Sequence, residues 1–222
     1  MTAHFVDLLD ALRRRSLRMA SLVEDMIEEA CEALQECNTE LAQRIVVRDQ
    51  DVDAEEVEVE AEVIRLMALY QPVGADLRLL CTVLKVNNDL ERIADCAVNI
   101  AERVQHFDPE AVRAQHAETA RMSGVIRRIL RAAIRAYATQ EPEIAKQVFA
   151  EEEAADALYG QVIRNVVVAA ANAPESIASF LDILSVAKNF ERIADHATNV
   201  AEDVIYLTSG KIVRHRRDEA DT

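Results

Sequence analysis

Glu91-Arg-Ile-Ala-Asp-Cys-Ala-Val-Asn-Ile-Ala-Glu-Arg-Val104 and Glu191-Arg-Ile-Ala-Asp-His-Ala-Thr-Asn-Val-Ala-Glu-Asp-Val204 are one segment written twice, 100 residues apart and identical at ten of fourteen positions. In a chain of 222 residues such self-similarity marks a duplication. The spacing inside the segment decides the fold class. Phe190, Ala194, Ala197, Ala201 and Val204 recur at steps of four and three, the seam of a helix packed in a bundle. Each copy reads as the third helix of its half.

Working outward, the four prolines act as punctuation. Asp108-Pro109-Glu110 is a cap followed by Pro at the first helical position, with an acid that favours the helix dipole. Glu141-Pro142-Glu143 and Ala173-Pro174-Glu175-Ser176 repeat the device, Gln71-Pro72-Val73-Gly74 is the fourth break, and Asn38-Thr39 makes a further cap. The breaks predict helices at 4–37, 40–70, 75–106, 109–139, 142–172 and 175–209. The fold class is therefore all-α: two tandem homologous three-helix bundles, 1–107 and 108–210, with a tail at 211–222 expected to fray. Val57-Glu-Val-Glu-Ala-Glu-Val63 alternates like a strand. It lies far from any Gly or Pro and would have no partner strand, so it is read as helix.

Composition agrees. Half the residues are hydrophobic, 29% are charged, only 4% are aromatic, and there are just four glycines, which argues against a sandwich or barrel. Forty acids against twenty-five bases give a net charge of −15, which excludes non-specific nucleic-acid binding and leaves cations or basic surfaces as ligands. No apolar run is long enough to span a membrane and no basic-then-apolar leader opens the sequence. Cys31, Cys37, Cys81 and Cys96 follow neither disulfide nor zinc spacing, so the expectation is reduced thiols in a cytoplasmic protein.

The repeated acids carry the chemistry. Residues four apart lie on one helix face, so Glu91/Asp95 and Glu191/Asp195 each set two carboxylates side by side. The duplication aligns Asp49/Asp53 with Glu152/Asp156 on the second helices. If the second and third helices turn these faces together, four carboxylates converge in each half. That all-oxygen set suits hard cations, and bridging carboxylates suit more than one. The plainer reading is a solvated acidic face paired with nearby arginines. Arg92 and Arg192 point roughly 100° away from the neighbouring glutamates and are expected off the stripe. Residues 1–107 hold 22 acids and 11 bases against 18 and 14 in the remainder, so the first site is expected to hold cations more tightly.

Other constellations fail. Asp49-x-Asp51-x-Asp53 with Glu60 imitates a calcium loop, but Ala54 stands where its sharp turn needs Gly. None of the five histidines has Glu three residues before it, as a di-iron oxidase requires. His196 reads as a partly exposed packing residue. Arg127, Arg128, Arg131 and Arg135 read as a solvated helix face.

Leu90-Glu-Arg-Ile-Ala-Asp95 with Asn99-Ile100, repeated as Phe190-Glu-Arg-Ile-Ala-Asp195 with Asn199-Val200, resembles the PhoU family of phosphate-uptake regulators. Gln71-Pro72-Val-Gly-Ala-Asp76-Leu-Arg78 and Tyr206-Leu-Thr-Ser-Gly210-Lys-Ile-Val-Arg214-His215 extend the likeness. The resemblance implies multinuclear metal clusters, iron foremost, with zinc, manganese, magnesium or calcium as the other candidates. Their ligands map onto Asp49, Asp53, Glu91 and Asp95 in the first half and Glu152, Asp156, Glu191 and Asp195 in the second. It also implies a homodimeric negative regulator that contacts the ATPase of a phosphate ABC transporter and a sensor histidine kinase. Three departures stand out: Ala94 and Ala194 replace a usual Gly, position 53 is Asp where Asn is common, and the Asp-Leu-Arg element occurs once. Two function classes follow, a non-enzymatic regulatory adaptor and a metal-dependent enzyme with a carboxylate-bridged cluster. With no nucleophile or base in view, the first is the expectation.

Overall fold

The computed structural model describes residues 3–106 and 109–213, without the side chains of 109–116. Its six long helices are α1 (Ala3–Glu36), α2 (Thr39–Tyr70), α3 (Ala75–Val104), α4 (Pro109–Thr139), α5 (Pro142–Asn172) and α6 (Ile177–Ser209). No strand occurs among the described residues. The alternating stretch 57–63 lies within α2. Its buried positions Ile45, Val52, Val59 and Leu66 recur every seven residues, joined by Val63. Val59 and Val63 sit one turn apart against Phe5 and Leu80, while Val57 faces solvent, so tertiary packing selects the helical period.

The breaks have identifiable causes. Asn38 caps α2, its Oδ1 accepting from the Leu41 N–H at 3.0 Å. Gln71 and Gly74, at φ 46° and 60°, turn the chain from α2 into α3. Pro142 opens α5 as expected, although Glu141 contributes no side-chain cap bond. Pro174–Ser176 forms a single 3-10 turn, so α6 begins at Ile177 rather than 175. Gly210 ends α6 at φ 74°. The expected Asp108 cap and most of the tail, 214–222, lie outside the described residues.

Within each half the second helix packs on the other two, α2 on α1 and α3, α5 on α4 and α6. The halves join through α3 along α6 and α1 along α4. Both pairs run antiparallel. Lys85, early in α3, reaches Asp203, late in α6, at 2.9 Å, and Arg103, late in α3, meets Asp182, early in α6, at 3.5 Å. On the other contact the buried Ser16 and Tyr137 hydroxyls are 2.8 Å apart. One continuous core runs from Met19 in α1 through Leu90 and Ile100 to Phe190 in α6, and a smaller one closes the end where α1 begins.

The arginine cluster of α4 is not a simple solvated face. Arg127 and Arg131 both donate to Glu28 of α1, at 3.0 and 2.8 Å, and Arg128 pairs with Glu151 of α5. Three of the four arginines thus tie α4 to its neighbours. The outward residues of α4 find partners because α1 supplies Glu24 and Glu28 at matching helical spacing. No helix among the described residues is long and apolar enough to cross a membrane.

Candidate functional site

The acids of the sequence motifs stand at the edges of the buried helix seams. On α2, Asp49 and Asp53 flank Val52, which has no exposure; on α3, Glu91 and Asp95 flank the buried pair Ile93 and Ala94. On α5, Glu152 and Asp156 flank buried Ala155, and on α6 Glu191 and Asp195 flank Ile193 and Ala194. The apolar seam between paired helices therefore draws the carboxylates toward one another. Glu152 itself is buried, at 5% exposure.

Each set of four lies within mutual electrostatic reach. Desolvation, then the charges of Asp53 and Asp95, lifts the Asp49 carboxyl to about 6. Glu91 is raised by desolvation first, then by Asp95, with Glu56 and Asp53 adding and Arg92 opposing. In the second half, desolvation and then Glu191, Glu152 and Asp156 raise Asp195, with Lys188 opposing. Desolvation leads each of these shifts and the neighbouring carboxylates add to it, so the acids of each face crowd one another. As the side chains stand, no three acidic, imidazole or thiol groups among the described residues are gathered closely enough to enclose an ion. The donor set nonetheless fits hard cations in its chemistry, since every candidate ligand is a carboxylate.

Three features differ from the sequence reading. Arg92 does reach the carboxylate stripe, lying 3.2 Å from Glu91 and 3.0 Å from Asp95, because its long flexible stem offsets the helical angle. His196 is more than a packing residue, since its Nδ1 lies 2.9 Å from Oδ1 of buried Asp89 across the α3–α6 contact, where Asn199 also donates to that oxygen. Glu56 belongs to the first face and was visible as the acid three residues beyond Asp53 on the same helix side. The stretch imitating a calcium loop is uninterrupted helix.

A duplicated helical scaffold with one paired-carboxylate face in each half is the class of protein that fold and site define. The model of the PhoU domain matches twice, at residues 16–104 and 119–204. The chain belongs to the PhoU family. It is 36% identical to the "Phosphate-specific transport system accessory protein PhoU homolog" of Aquifex aeolicus, over 94% of each chain. The protein of the same name from Caulobacter vibrioides is 32% identical, covering all of this chain and 98% of its own length. The crystal structure of PhoU from Pseudomonas aeruginosa superposes with a TM-score of 0.88 at 30% identity, covering 93% of this chain and all of that one.

Proposed function

We propose that the protein is a cytoplasmic regulatory adaptor of phosphate uptake and a negative regulator of phosphate-starvation signalling. It acts by binding the ATPase of a phosphate ABC transporter and a sensor histidine kinase, as a homodimer. The observation that carries this reading is the repetition of one four-carboxylate face on a PhoU-family scaffold, whose relatives bear the name of phosphate-transport accessory proteins. Metal, iron foremost, would be held by Asp49, Asp53, Glu91 and Asp95 in one half and by Glu152, Asp156, Glu191 and Asp195 in the other. Bound there, it would add positive charge among these crowded acids.

Binding rather than catalysis is supported by the relatives' name of accessory protein, and the two buried thiols are not activated. Burial pushes the Cys31 thiol up to about 12 and the Cys96 thiol up to about 11, so both stay protonated at neutral pH. Deleting the gene, with any related copy also removed, should switch on phosphate-starvation genes while phosphate is plentiful. Unchanged phosphate-responsive expression in that strain would overturn the regulator reading.

A further inference from the structure

The two acid faces share their four motif carboxylates, but two positions beside them have diverged together. In the second half Lys188, one turn before Glu191, donates to Glu191 Oε2. Its Nζ also lies 5.6 Å from the centroid of the Tyr159 ring on α5, close enough for cation–π attraction. The ammonium thus bridges the two helices that carry the acids. Under the alignment that pairs Asp95 with Asp195 and Asp49 with Glu152, the first-half counterparts of Lys188 and Tyr159 are Asn88 and Glu56. An uncharged amide and a fifth acid stand where the second half has a cation and its aromatic seat. Arg92 and Arg192 are common to both faces in sequence, and Arg92 pairs with Glu91 and Asp95 of its own face at 3.2 and 3.0 Å. The faces therefore differ by two unit charges at equivalent places.

We propose that Lys188, seated on Tyr159 and hydrogen-bonded to Glu191, is a built-in counter-ion that the second acid face has and the first lacks, so that a multivalent cation binds the second face only by displacing it. This rests on reading the faces as metal sites. An incoming ion must break the hydrogen bond to Glu191 and expel a like charge from its neighbourhood. At a separation of about 5 Å, even in a water-like dielectric, that repulsion corresponds to roughly tenfold in affinity.

The test uses the chelator-stripped, full-length chain titrated with Mn2+, the free ion being followed by electron paramagnetic resonance. In a D49N/D53N background, which silences the first face, K188N should tighten Mn2+ binding about tenfold. In an E191Q/D195N background, which silences the second, N88K combined with E56Y should weaken it by a similar factor. Lys188 and Asn88 are both exposed, and circular dichroism should show each variant to be folded. A second face whose affinity ignores Lys188, beside a first face that binds normally, overturns this inference alone. No Mn2+ binding at either face overturns the metal reading and this inference with it.

Discussion

Asp49 shows what crowding does to a single residue. In an unfolded chain its carboxyl would titrate near ~3.9; in the fold, desolvation and the charges of Asp53 and Asp95 move it to about 6. A raised carboxyl binds protons more tightly folded than unfolded, so it costs no stability below about pH 4. The cost grows as the pH rises from about 4 to 6 and is fully present above that. Partial solvent screening reduces it to on the order of 1 kcal/mol. Metal-free Asp49→Asn should therefore be more stable than the parent at pH 7 by about that amount, with no advantage below pH 4. Urea denaturation at the two pH values measures this, and an Asn variant no more stable at pH 7 would show that the carboxylates do not repel. The same proton competes with a cation, so metal affinity should fall as the pH drops through about 6.

At the scale of the element, the helices are set by their ends. Cys37, Gln71 and Gln140, at φ of 51°, 46° and 56°, close α1, α2 and α4 in the left-handed conformation that Gly adopts without strain. Gly is scarce in this chain, with four in all, and only Gly74 and Gly210 have positive φ. Exposed Gln71→Gly should stabilise the protein by about 0.5–1 kcal/mol, read as a rise in the thermal midpoint, because the Cβ strain goes while the Met67 carbonyl keeps its bond. A fall in the midpoint would mean that unfolded-chain entropy outweighs the strain. Helix existence and order were legible in the sequence, because prolines and the duplicated seam are local signals. The 3-10 turn at Pro174–Ser176 was not, since Pro and an acid mark an α start equally well. Four carboxylates per face were legible from the four-residue spacing and the repeat. Glu28 meeting Arg127, and Lys188 meeting Tyr159, were not, because these pairs form between helices whose mutual rotation no local pattern specifies.

At the scale of the molecule, duplication and divergence act on different layers. The core keeps the repeat: Leu90 and Phe190, Ile93 and Ile193, Ala97 and Ala197 are all buried and lie in one continuous apolar body shared by both halves. The contact between halves breaks the symmetry. Asp89 accepts from His196 and Asn199, yet the counterpart of Asp89 is Asn189 and that of His196 is Cys96. What remains duplicated on the surface is the acid face, and that persistence, against a mutual repulsion that a cation would relieve, is the central reason to read it as functional. Metal analysis of the purified full-length protein tests this most directly, comparing the parent with Glu91→Gln/Asp95→Asn, with Glu191→Gln/Asp195→Asn and with all four changes combined. Each double variant should lose the metal of its own face, and the combined variant should lose nearly all of it while remaining helical. A combined variant that keeps the parent's full metal content would contradict the account.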